Sequence, residues 1–133
     1  MKTPTDLACQ KFLAEQLPER IHIEESNPLP KTIEDAFLNP SKTIFLLKTP
    51  GLIKHWTEIR ETEWLQIAQD VEWKIHWSDY FPAICSIVEH DWNQNSDVKY
   101  CDLPPAHRAW LVIHATYQQR AIALAKAMGK ELA

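Results

Sequence analysis

Glycine is what this sequence most clearly lacks, since only Gly51 and Gly129 occur among 133 residues. Average proteins contain about 7% glycine, and tight β-hairpins depend on it because it adopts positive φ angles easily. Glycine-rich loops also cradle phosphate groups in many nucleotide-binding proteins. The scarcity therefore argues against a β-meander or barrel and against a backbone-lined phosphate site.

Long apolar runs are also missing. No stretch approaches the roughly 20 apolar residues of a membrane span, and the first residues lack the apolar segment of a signal peptide. The three cysteines, Cys9, Cys85 and Cys101, are odd in number and widely spaced, which is typical of free thiols in a reducing compartment. We expect a cytoplasmic protein that is not held in a membrane.

The charge is unevenly distributed along the chain. The formal net charge is −4, and residues 61–103 carry nine acidic and two basic side chains. Such an acidic balance argues against nonspecific binding to nucleic acid. The C-terminal segment is locally basic, and its Arg120 and Lys126 are candidates for contact with an acidic protein surface.

Apolar periodicity predicts a mostly α fold, a single-domain helical bundle of about five to six helices covering residues 1–133. Its clearest element is a long C-terminal helix that begins at Pro104-Pro105 and ends near Gly129. Thr32 is a predicted helix cap. Thr49 followed by Pro50 predicts the start of a further helix that carries Trp56 on one face.

An α+β arrangement is the alternative, with a small sheet from residues 20–23, 43–48 and 71–77. The segment VEWKIHW at 71–77 alternates apolar and polar residues as a strand does, yet it also continues a helical stripe from Trp64. If it is helical, Trp73 and Trp77 lie one turn apart and form a candidate partner-facing patch. The pattern leaves both structures open.

Six tryptophans are a high number for this length, and large aromatic residues concentrate in cores and interfaces. Catalytic motifs built around serine nucleophiles, phosphate loops or zinc helices are absent, and we assign no catalytic residue. We expect a non-enzymatic, regulatory protein-interaction module of the adaptor, inhibitor or immunity type without a cofactor. Its partner is another protein, with a homo-oligomer as an alternative. The candidate contact residues are Trp73, Trp77, Trp92, Arg120 and Lys126.

A small-ligand or metal-binding protein, catalytic or not, is the competing function. Cys85 and His90, followed by Cys101 and His107, have the side chains that suit zinc. Their spacing matches the usual zinc patterns only loosely. This alternative predicts a site lined by histidine and cysteine.

Overall fold

The computed structural model of the chain describes residues 4–26, 29–49 and 55–132 and shows a mostly helical protein with one small sheet. The predicted mostly α fold is confirmed. None of the described helices has the length and apolar character needed to cross a membrane. The elements in chain order are α1 (Asp6–Gln16), β1 (Ile21–Ser26), α2 (Ile33–Leu38), β2 (Lys42–Lys48), β3 (Trp56–Glu58), α3 (Trp64–Glu72), α4 (Trp77–Asn95), α5 (Pro105–Ile113) and α6 (Tyr117–Ala127).

Backbone contacts divide the chain into two compact units. The helical unit comprises Met1–Leu13 and Thr62–Ala133, and the sheet unit comprises Ala14–Glu61. The boundary falls inside α1. The assignment of residues 1–133 to one domain stays a prediction.

The sheet unit is built on the antiparallel strands β1 and β2, and β3 pairs with the other edge of β2. Ile21 pairs with Leu47 and Ile23 pairs with Phe45, which places these apolar side chains on one face of the sheet. Ile21 and Phe45 are buried. The strands predicted at 20–23 and 43–48 are thereby confirmed.

Two local predictions in the sheet unit have different outcomes. Thr32 caps α2, since its hydroxyl accepts a hydrogen bond from the Asp35 backbone N–H at 2.9 Å, as predicted. The start predicted for the helix at Pro50 falls on residues 50–54, which lie outside the described residues. Trp56–Glu58 form β3 instead of a helix, because the open edge of β2 offers backbone partners that a short segment can join.

The ambiguous segment 71–77 joins two helices of the helical unit. Helix α3 ends at Glu72 and α4 begins at Trp77. The His76 side chain caps α4, since its Nδ1 accepts a hydrogen bond from the Ser78 backbone N–H at 3.2 Å. The strand predicted at 71–77 is wrong, because the stripe that includes Val71 is helical and buried.

The two tryptophans of this segment occupy different elements. Trp73 follows the last residue of α3, whereas Trp77 opens α4. They therefore do not lie one turn apart on one helix, as the helical interpretation predicted. Trp77 stacks on Phe81 instead, with ring centroids 4.3 Å apart.

The predicted long C-terminal helix is divided into α5 and α6 by a turn at 114–116. Thr116 and Gln119 form a capping box at the start of α6. The Thr116 hydroxyl accepts from the Gln119 backbone N–H at 3.2 Å, and Gln119 Oε1 accepts from the Thr116 backbone N–H at 2.9 Å. These bonds satisfy backbone groups that a helix start leaves without partners. Two helices joined by a turn therefore replace the single predicted helix.

Helix α4 packs along α6 and forms the centre of the helical unit. Ile84 and Val88 of α4 are buried, as are Ala121 and Leu124 of α6. Helix α5 also contacts α4 but buries none of its own side chains. The apolar residues of α5 are therefore left at a surface beside α4.

Candidate binding pocket between α4 and α5

An open pocket of about 560 Å³ lies between α4 and α5, entirely within the helical unit. This volume falls in the range of roughly 300–1,000 Å³ that is usual for ligand sites. The lining is mainly apolar and includes residues from the end of α3 and the start of α6. Its members are Glu72, Trp77, Tyr80, Phe81, Ile84, Cys85, Tyr100, Pro105, Arg108, Ala109, Val112, Ile113 and Arg120.

The rim of the pocket carries large apolar side chains that face solvent. Trp77 is 66% exposed, Phe81 39% and Ile113 68%. Trp77 and Phe81 are four residues apart on α4, a spacing that places side chains one above the other on a helix. These three large exposed apolar residues line one opening, and clustered exposed apolar surface marks interaction sites on soluble domains.

The floor of the pocket is a hydrogen-bonded ion pair. Arg120 is buried, and its Nη1 lies 2.6 Å from Glu72 Oε1. The Tyr80 hydroxyl donates a hydrogen bond to the same Glu72 oxygen at 2.8 Å. Burial, followed by this hydrogen bond to a carboxylate, raises the pKa of the Tyr80 hydroxyl. The Tyr80 hydroxyl therefore stays protonated and remains a hydrogen-bond donor to Glu72 throughout the neutral pH range.

Arg120 also anchors the C-terminal end of α5. Its Nη2 donates to the Ile113 carbonyl at 2.7 Å, and its Nε donates to the Ala115 carbonyl at 3.0 Å. The last carbonyls of a helix lack partners within the helix, so these bonds satisfy groups that would otherwise be unpaired. All three Arg120 nitrogens are thus engaged within the protein.

Arg108 is the second arginine of the pocket, and it differs from Arg120 in having a buried donor without a partner. Its Nε is buried and makes no hydrogen bond among the described residues. A buried donor left unpaired costs about 1–3 kcal/mol. With Arg120 paired to Glu72, Arg108 leaves the lining with one excess positive charge.

Tyr100 and Cys85 complete the polar part of the lining near Arg108. Burial raises the pKa of the Tyr100 hydroxyl, the Cys85 thiol raises it further, and the Arg108 guanidinium acts in the opposite direction. Burial, followed by the charge of Glu89, also raises the pKa of the Cys85 thiol. The thiol is therefore protonated at neutral pH, which disfavours reaction as a nucleophile. The pocket is equipped to hold an apolar group and to neutralise an anion.

The predicted partner-contact residues are distributed over the helical unit. Trp77 lies at the pocket rim and Arg120 at its floor. Trp73 is 88% exposed in the turn before α4. Trp92 is half-buried and donates its indole N–H to the Val98 carbonyl at 2.8 Å. Lys126 is exposed on α6 and is not part of the pocket lining.

The four predicted metal ligands are not gathered into a site. Among the described residues, no group of three or more His, Cys, Asp or Glu side chains is arranged to hold a metal ion. Cys85 and His90 are five residues apart on α4, a spacing that turns side chains about 140° away from each other. Cys101 is exposed in the short 3₁₀ turn Tyr100–Asp102, and the His107 ring contacts Trp92.

Several lining residues escape detection from the sequence pattern. Phe81 and Ile113 resemble ordinary core positions of amphipathic helices, and Arg108 resembles a surface charge. The spacing of Trp77 and Phe81 was the one available signal, since two aromatic residues at i and i+4 share a helix face. The sequence contains no local signal that brings Arg108 to this face.

Comparison with protein-family models, with curated proteins and with solved structures found no match. The function of this chain is therefore argued from the pocket itself. Its two defining features are an exposed apolar rim and one excess positive charge in the lining.

Proposed function

We propose that this protein is a non-enzymatic protein-interaction module that binds a partner protein through the face formed by α4 and α5. The observation that carries the proposal is the exposure of Trp77, Phe81 and Ile113 around one pocket. Hiding such side chains from water favours association by about 25 cal/mol per Å² of apolar surface. A complex in which the partner covers the rim is stabilised by this free energy.

The composition of the rim supports a macromolecular partner. Tryptophan is enriched among interface residues whose removal costs the most binding energy. Trp110, 54% exposed, lies three residues before Ile113 on α5 and extends the apolar surface beyond the opening. In one common mode of recognition, a partner helix or strand inserts its own apolar side chains into a hydrophobic groove of this kind. A partner segment that spans the opening would cover both helices.

A pair of aromatic variants tests the proposal. Two variants of the tagged protein, Trp77→Ala and Phe37→Ala, are purified separately from the native host. Phe37→Ala is the control, because it removes an 85% exposed ring on α2 outside the pocket. Each co-purified protein is then produced separately and titrated against the variants by calorimetry. We expect Trp77→Ala to weaken the direct interaction by more than about tenfold, and Phe37→Ala to leave it unchanged.

The controls separate binding from folding. Trp77 is exposed, so circular dichroism and thermal unfolding of Trp77→Ala are expected to match the wild type. If the partner binds Trp77→Ala as tightly as the wild type, the α4–α5 face is not the interface. If Phe37→Ala alone loses the partner, the interface lies on α2.

A small-ligand-binding protein is the second candidate function. It is favoured by the pocket volume of about 560 Å³ and by the positive charge that Arg108 adds to the lining. Native mass spectrometry of gently purified protein tests it. A bound small molecule that is lost in an Ile113→Glu variant would favour this function over the protein interaction.

A further inference from the structure

We infer that the α4–α5 pocket recognises a carboxylate side chain of the partner, which binds Arg108 while neighbouring apolar residues of the same segment cover Trp77 and Ile113. The inference rests on the proposed protein-interaction function and names the chemistry of the partner. The occupant is an apolar segment of another protein with one aspartate or glutamate at its centre.

The first argument is the state of the two arginines. Arg120 donates hydrogen bonds from all three nitrogens, to the Glu72 carboxylate and to the Ile113 and Ala115 carbonyls. Its charge is therefore already compensated by Glu72. Arg108 lines the same pocket and is half-buried, and its guanidinium makes no hydrogen bond or ion pair among the described residues; of its nitrogens only Nε is buried. A carboxylate in the pocket can accept from the Nη–H groups of this guanidinium, and such charge-assisted hydrogen bonds are the stronger ones in proteins.

The second argument is the surroundings of Arg108. The pocket lining is mainly apolar, and an ion pair in such surroundings is weakly screened by solvent and salt. An inorganic anion would not bury the exposed rings at the rim. A carboxylate attached to an apolar segment satisfies both the guanidinium and the rim.

The charge of the chain restricts the partner further. Residues 61–103, which include α3 and α4, carry nine acidic and two basic side chains. A segment with many acidic residues would be repelled by this part of the chain. The partner segment therefore has a single carboxylate beside its apolar anchors and is otherwise neutral or basic.

A peptide selection tests the inference. Random peptides of about twelve residues, displayed on phage, are selected on the immobilised full-length protein, and enriched peptides are synthesised and titrated. We expect them to contain one Asp or Glu flanked by bulky apolar residues. We expect Arg108→Gln to weaken their binding about tenfold or more, and Arg108→Lys to weaken it less, because lysine keeps the charge but not the fork.

Matched variants make the outcomes distinct. Lys126→Gln removes an exposed cation of α6 outside the pocket and is expected to leave binding unchanged. Replacing the peptide carboxylate by its amide should cost as much as Arg108→Gln, and the two changes together should cost little more than either alone. Circular dichroism of Arg108→Gln checks that the variant is folded.

The inference and the proposed function fail differently. Peptides that need Trp77 but bind Arg108→Gln equally well would overturn the carboxylate and leave the interaction face standing. Peptides that are insensitive to Trp77→Ala would overturn both. Failure to enrich any peptide, while 4-phenylbutyrate binds and 4-phenylbutanamide does not, would assign the pocket to a small carboxylate and overturn the protein segment. Failure to enrich any peptide without such binding would also overturn the inference.

Discussion

Arg120 and Glu72 form an ion pair in which Nη1 lies 2.6 Å from Oε1, joining the start of α6 to the end of α3 across 48 positions of sequence. The same arginine binds the carbonyls of Ile113 and Ala115. One side chain therefore connects α6 with α3 and with the end of α5, and it forms the floor under the apolar rim. These bonds fasten the C-terminal end of α5 and the turn after it to α6.

The first prediction concerns this ion pair. Arg120→Met is expected to lower the free energy of unfolding by about 3 kcal/mol, because Glu72 and two backbone carbonyls lose their partner in a largely buried position. Urea unfolding followed by tryptophan fluorescence measures the change. Lys126→Met, an exposed cation of the same helix, should change stability by less than about 0.5 kcal/mol. Equal stabilities of the two variants would contradict the role assigned to Arg120.

The second prediction concerns the turn between α5 and α6. Thr116→Ala removes the hydroxyl that accepts from Gln119 and should destabilise the protein by about 1 kcal/mol. Ser86→Ala, which removes an exposed hydroxyl within α4, is the matched control and should not lower stability. If Thr116→Ala has the melting temperature of the wild type, the capping box does not stabilise the break in the helix.

The third prediction concerns the core between α4 and α6. Leu124 is 0% exposed, so Leu124→Ala is expected to cost about 3 kcal/mol from lost burial and the cavity left behind. Leu65 on α3 is 40% exposed, and Leu65→Ala should cost less than about 1 kcal/mol. Thermal unfolding of both variants checks the difference. Similar losses would mean that Leu124 is not at the centre of the helical unit.

The fourth prediction concerns the pH dependence that Cys9 contributes. Burial, followed by the charge of Asp6, raises the pKa of the Cys9 thiol from 9.0 to about 11. Since the unfolded thiol ionises first, its contribution to stability is complete below pH 9 and is lost as the pH rises through about 11. The loss amounts to about 2–3 kcal/mol.

The test compares the wild type with Cys9→Ala across this range. The free energy of unfolding should fall more steeply between pH 8 and pH 11.5 in the wild type, because the variant lacks the group that titrates. All other groups titrate in both proteins, so the difference isolates Cys9. Parallel curves would show that the thiol is not held in its neutral form.

Local signals in the sequence predict much of the secondary structure. Thr32 caps α2 through a bond within four residues, and Pro105 begins α5. The division of the last helix is harder to predict, because apolar residues continue at helical spacing on both sides of Thr116. The Thr116 and Gln119 pair matches a capping box, but such a pair also occurs inside helices, where the hydroxyl has no free backbone donor to bind.

The pocket depends on residues that sequence spacing does not connect. Trp77 and Arg120 are candidates from the sequence, yet their roles differ, since one is exposed at the rim and the other is buried at the floor. In the sequence, Arg108 is one of several basic residues of the C-terminal segment. The tertiary structure places its half-buried side chain in the pocket lining, which helical periodicity alone does not indicate.

The sequence by itself determined the helical character of the chain, the Thr32 cap of α2 and the acidic segment in its middle. The tertiary structure decided which apolar residues stay in contact with water. Leu124 and Ile113 carry similar side chains on neighbouring helices, yet one is fully buried and the other is 68% exposed. Helical periodicity places both on apolar faces, whereas burial requires a second helix, and α6 packs along α4 while α5 buries none of its side chains.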